Sequence, residues 1–125
     1  MIDALFSNSN YVAEKKLLDA TALRHEALAS NIANVETPGY KRVDLPKNFG
    51  DDFAAHLRAG ESESIATPAI TEDTEAVSQR ADGNNVELDK ELLSMSGNSM
   101  QFETLGEFVS ASLRQLRLAI TGKQS

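Results

Sequence analysis

The sequence predicts an all-α protein: two long terminal helices forming a coiled-coil-like pair, joined by a flexible acidic middle segment. Three observations carry this expectation. The stretch from about Asn8 to Ala33 has no Pro or Gly and is rich in Ala and Leu; Leu88, Met95, Phe102, Val109 and Leu116 recur every seven residues; and Pro38, Pro46 and Pro68 all fall between these two stretches. Freedom from helix breakers and a sustained heptad are the two sequence signs of long helices, and a cluster of Pro marks where they stop. The division that follows is an N-terminal helix over 1–35, a connection over 36–83 and a heptad-patterned helix over 84–125.

On the first helix, Tyr11, Leu17, Leu18, Leu28 and Ile32 share a face with Thr21 and His25, while Val12, Leu23 and Ala27 form a second stripe. Two apolar stripes imply more than one neighbour. The last helix is expected to open at Asn85, with Asn84 and Glu87 spaced as a capping box, and with Glu87, Asp89 and Glu91 at the positive end of its dipole. Arg114, Arg117 and Lys123 suit the opposite end. Its heptad row continues four positions on through Leu92, Leu113 and Ile120, giving an assembly seam of Leu88, Leu92, Met95, Phe102, Val109, Leu113, Leu116 and Ile120. Ser99 and Gly106 interrupt the second row, Gly97 lies mid-helix, and each Gly costs roughly 1 kcal/mol relative to Ala. Leu93, Met100, Ala111 and Leu118 make a further stripe on the far side, so apolar surface faces two directions. The isolated monomer is therefore expected to be partly disordered.

The 125 residues carry a net charge of -7, which argues against nucleic acid as a partner. Charge is uneven: residues 51–91 hold eleven acids against Arg58, Arg80 and Lys90. With its low hydrophobicity from Ala59 to Asp82, the middle reads as loop or disorder, with one short helical turn near Asp51–Arg58. Without cysteine, disulfides and thiolate chemistry are excluded and the redox compartment stays open. No run approaches the ~20 apolar residues of a membrane span, and no cleaved signal peptide is evident. An uncleaved signal would have to carry the chain out of the cytoplasm.

The run Ser30-Asn31-Ile32-Ala33-Asn34-Val35-Glu36-Thr37-Pro38-Gly39-Tyr40-Lys41 ends the first helix. Asn34 suits a left-handed helix end, and Pro38-Gly39 suits the centre of a type II turn. Asn31 and Asn34, one turn apart, can bridge to a neighbouring backbone, and Tyr40 is left as an aromatic plug. On residues alone this is a helix stop followed by a Pro-Gly turn.

The stretch from Ala29 to Lys41 resembles the N-terminal signature of the flagellar axial proteins, the rod, hook and hook-associated subunits. Short length and the run Asp82-Gly83-Asn84-Asn85-Val86-Glu87-Leu88-Asp89-Lys90-Glu91 are similar to the rod protein B family of proximal rod subunits; rod protein C lacks that opening in the same form. The resemblance covers roughly 10–43 and 81–120. It implies a structural subunit of the bacterial flagellar basal body, in the periplasmic rod, exported by the flagellar type III system and working by helix packing to transmit torque. It implies self-association, and as partners other rod proteins, the basal-body adaptor at the membrane-supramembrane ring and the export gate. Early export substrates resemble one another in a Phe-x-x-x-hydrophobic element, which Phe53 and Leu57 fit; the bland alternative is an amphipathic turn packing on the rod. Residues 49–53 fit the same pattern.

His25 and His56 have no partner at zinc-ligand spacing, and no phosphate-cradling loop or nucleophile elbow is present. Neither an enzyme nor a cofactor or metal site is expected. The rival reading is a soluble cytoplasmic helical adaptor that binds a partner helix in a groove. It differs in being folded and monodisperse alone.

Overall fold

The computed structural model describes the backbone of residues 2–78 and 80–122, with side chains from Asn10 onward. In chain order the elements are α1 (Ile2–Ala33), β1 (Val43–Asp44), α2 (Phe49–Arg58), a 3-10 turn (Ser62–Ser64), β2 (Thr71–Glu72) and α3 (Leu88–Thr121). The two long helices run antiparallel, since Asn31 meets Glu91, Thr21 meets Asn98 and Glu14 meets Ser112. The mainly helical class agrees with the sequence expectation. Lys123 lies outside the described residues.

On α3 the surface that meets α1 is not the apolar heptad row, while on α1 it takes in Thr21 and Leu28 of the expected face and Ala27 of the second stripe. From α1 the buried side chains include Ala13, Ala20 and Ala27, seven apart, with Thr21, Leu28 and Asn31 beside them. From α3 they are Glu91, Asn98, Leu105 and Ser112, also seven apart. Alanines leave room for short polar side chains, which reach across: Asn98 donates to the Thr21 carbonyl at 3.0 Å and Ser112 to Glu14 at 2.6 Å. The expected seam sits one step round α3 from this contact. Leu88, Leu92, Phe102, Leu113 and Ile120 are exposed, Ile120 by 82%, and Met95, Val109 and Leu116 are half-buried. A heptad row fixes a face of the helix but not which neighbour covers it, and within this chain α1 covers a different face.

The middle is not a plain loop. β1 and β2 pair antiparallel with Val43 opposite Glu72 and Asp44 opposite Thr71. The 3-10 turn is tied to α1 by Lys16, whose ammonium donates to the Glu63 and Ile65 carbonyls, both at 2.8 Å, with Ile65 buried beneath. Of the eleven acids expected to keep the segment loose, Asp73, Glu75, Asp82 and Glu91 are paired with Arg42, Lys47 and Arg80. α3 begins later than expected, at Leu88, and its N-cap Glu87 makes no side-chain capping bond, so the Asn84–Glu87 capping box is absent. Asn34 is not left-handed either, because no described non-glycine residue has positive φ. Gly122 closes α3 at φ 65°, its N–H bonding the Leu118 carbonyl at 2.8 Å.

Candidate functional site

At the C-terminal end of α1 the two signature runs fold onto one another in a polar clasp. A helix ends with unpaired carbonyls, and those of α1 need partners. Asn84, fully buried, shares its amide hydrogens among the carbonyls of Asn34 (2.9 Å), Val35 (3.1 Å) and Thr37 (2.8 Å), while its own oxygen accepts from the Val86 N–H at 2.8 Å. Asn85 accepts from the Arg42 N–H at 2.7 Å and donates to the Ala76 carbonyl at 3.0 Å. Asn84, read as a helix start from α3's side, thus holds the turn that closes α1, while Asn85 ties the segment after that turn to residue 76.

Asn31, one turn inside α1 and fully buried, acts as a neighbouring strand for β1. Its amide donates to the Val43 carbonyl and accepts from the Val43 N–H, each at 2.8 Å. Its second hydrogen goes to Glu91 at 3.1 Å and its oxygen also accepts from the Tyr40 hydroxyl at 3.3 Å, so the side chain's hydrogen-bonding capacity is filled. Tyr40 additionally meets Ser30 Oγ at 3.0 Å; Asn34 donates to the Ser30 carbonyl, and Thr37 donates to Asn34. Gly39 holds φ 73° in the Thr37–Tyr40 turn, closed by the Tyr40 N–H on the Thr37 carbonyl at 3.2 Å. Ser30, Asn31, Asn34, Thr37, Pro38, Gly39 and Tyr40 therefore lie in or beside one knot.

Its electrostatic centre is Arg42. The guanidinium donates to Glu91 at 2.6 Å, Asp73 at 2.5 Å and Asp44 at 3.2 Å, linking α3, the residue after β2, and β1. Arg24 of α1 forks onto Asp44 at 2.9 and 3.3 Å, and Lys47 stands 3.5 Å from Asp73. Three cations answer three carboxylates, one of which, Glu91, is only 2% exposed. Burial disfavours the Arg42 charge, but the bonds to Glu91 and Asp73 outweigh it and hold the pKa above the ordinary arginine value. Burial likewise opposes ionisation of Asp44 and Asp73; Arg24 on the first and Arg42 on the second, with a backbone N–H on each, carry both below the usual carboxylate value.

Sequence reasoning missed Arg42, Arg24, Asp44, Asp73 and Glu91 as a set. The available signal was one arginine directly after the Pro-Gly-Tyr-Lys turn in a chain whose acid excess lies downstream. Phe53 and Leu57 are elsewhere, on α2, with Phe53 half-buried, Leu57 45% exposed and the Phe49 and Phe53 rings 5.9 Å apart. His56 bonds the Asp52 carbonyl, and His25 lines a groove between α1 and α3. Among the described residues no group of His, Cys, Asp and Glu could hold a metal, and no helix is long and apolar enough to cross a membrane.

A family model described as flagella basal body rod protein matches residues 18–41, the stretch that runs through α1's last turns into the clasp. The flagellar basal body rod protein FlgB of Aquifex aeolicus is 31% identical over 113 residues, covering 87% of this chain and 90% of the relative. The chain belongs to the FlgB family. FlgB of Bacillus subtilis is 27% identical over 130 residues (95% of this chain, 98% of that protein), and FlgB of Escherichia coli 29% over 108 residues (72% and 77%). FlgB-family membership makes the chain a structural subunit of the flagellar basal body rod that assembles with other rod components. It is not an enzyme, and the adaptor reading gives way.

Proposed function

We propose that the chain is a proximal rod subunit that crosses the flagellar type III export channel without a cleaved signal, then packs through α3 into a stiff wall that transmits torque. The observation that carries this reading is the apolar side of α3, left exposed at Leu88, Leu92, Phe102, Leu113 and Ile120. Monomers rarely keep such a continuous apolar face without a partner for it. The clasp fixes the antiparallel pair, and the pair presents that face to other rod proteins and to the adaptor at the membrane-supramembrane ring. Comparing motility and basal-body yield for Phe102→Ala against Glu107→Asp, at equal export, tests it: rods built normally by Phe102→Ala overturn the seam as working surface.

Phe53 and Leu57, one turn apart on α2, are proposed to engage the export gate. No residue of α2 is buried, which supports their availability for contact. The double variant Phe53→Ala with Leu57→Ala is expected to remain stable in the cytoplasm and be absent from the exported fraction. Normal export assigns both side chains to packing.

A further inference from the structure

The free face of α3 has a row of knobs and holes on a single line: Leu92, Ser99, Gly106, Leu113 and Ile120, each seven residues from the last. Nothing inside the chain demands a small residue at Gly106. A Cβ built there meets no atom within 4 Å, and φ is not in the left-handed region, yet Gly weakens a helix interior by roughly 1 kcal/mol relative to Ala. Beside Ser99, an open groove of about 410 Å³ lies between α3 and α1, lined by Phe102, Glu26 and Glu103 among others. From Phe108 to Gly122, by contrast, α3 carries no acid; it carries Arg114 and Arg117, which make no ion pair among the described residues, and the exposed Leu113 and Ile120.

We propose that this face is covered by the same face of a second copy of the chain, parallel and advanced by fourteen residues. Fourteen residues is two heptads, so the shift returns the same face while moving about 21 Å along the helix. It sets Leu113 of the second copy against Ser99, Ile120 against Gly106, and Gly106 against Leu92. Every pair on the row is then one large and one small residue. An unshifted pairing puts Gly106 on Gly106 and Ile120 on Ile120, and a seven-residue shift leaves Ser99 facing Gly106, an unfilled hole. The same fourteen residues bring Arg117 of the second copy level with Glu103 of the first, so the acidic edge of one copy's groove meets the other's cation. Knob and hole are different stretches of one surface, which makes the contact heterologous and able to repeat along an axis.

The inference rests on the rod-subunit reading and specifies its copy-to-copy contact. The chain has no cysteine, so engineered thiols report it cleanly. Purified Glu103→Cys and Arg117→Cys chains are mixed under mild oxidation over rising concentration. The mixed disulfide is expected to exceed either homodimer ten-fold or more. Comparable homodimers, stronger cross-linking of a Glu107→Cys with Arg114→Cys pair, or no interchain disulfide at any concentration overturns the stagger. Adding Gly106→Leu to both chains fills the hole; helicity is expected to hold while cross-linking falls at least ten-fold, and undiminished cross-linking overturns the knob-in-hole contact. If the wild-type chain still restores motility while these thiols fail, the rod-subunit reading stands and only this contact falls.

Discussion

The clasp and the free face of α3 solve opposite problems with opposite chemistry. Around Asn31, Arg42 and Asn84 the chain buries polar and charged groups and pairs nearly all of them; along Leu92, Phe102 and Leu113 it leaves apolar side chains in solvent. A satisfied polar knot accepts only one arrangement, since any slip strands a buried donor or charge, whereas apolar surface is indifferent to direction and gains by being covered. The difference teaches that internal order comes from the clasp, and that what is left over for assembly is the apolar part. The middle, expected to be a flexible connection, supplies Asp44 and Asp73 to the knot.

The sharpest way to break this contrast is Arg42→Ala. Removing the cation leaves Glu91 buried without its ion-pair partner and Asp73 without its short bond, and breaking a buried pair costs ~3–5 kcal/mol. Urea titration of the purified variant is expected to show that loss, and an unchanged midpoint would mean the knot does not hold the chain. Asn84→Ala is expected to cost about 1–3 kcal/mol, because three carbonyls of the turn that closes α1 lose a shared, fully buried donor. Its signature is local: amide exchange should quicken at Asn34 to Tyr40 before it does in mid-α1.

Acid probes the same knot without mutation. Asp44 and Asp73 have folded pKa values below their unfolded ones, so the unfolded chain binds more protons and stability rises with pH through that window. Their contribution is complete above the unfolded carboxylate value of about 4 and is lost as pH falls through the lower folded values. The midpoint of acid unfolding is expected to shift in Asp44→Asn, measured by circular dichroism; an unaltered acid transition would separate these carboxylates from stability.

On the free face the effects on the monomer are expected to be small and partly of opposite sign. Gly97→Ala should stabilise by roughly 0.5–1 kcal/mol, as a Cβ there meets nothing within 4 Å and Ala is the better helix former. Phe102→Ala should change the monomer by no more than about 0.5 kcal/mol, since 43% of that residue is already exposed and no full cavity is made. A loss of several kcal/mol from Phe102→Ala in the monomer would erase the distinction between the two regions.

The sequence by itself determined where the long helices lie, because freedom from Pro and Gly, heptad spacing and a Pro-Gly turn are local properties of the chain. It also marked both signature runs, and with them the family. It did not reveal that Asn84 caps α1 and not α3, that Asn31 stands in for a strand, or that Arg42 gathers carboxylates from positions 44, 73 and 91. Those partners are separated by up to 60 residues along the chain, between Asn31 and Glu91, and only the antiparallel return of α3 brings them within hydrogen-bond reach. Nor did the apolar row reveal its neighbour. Periodicity states which side chains share a face; whether that face turns to α1 or to solvent depends on which contact satisfies more buried polar groups, and Glu91, Asn98 and Ser112 turned α3 the other way.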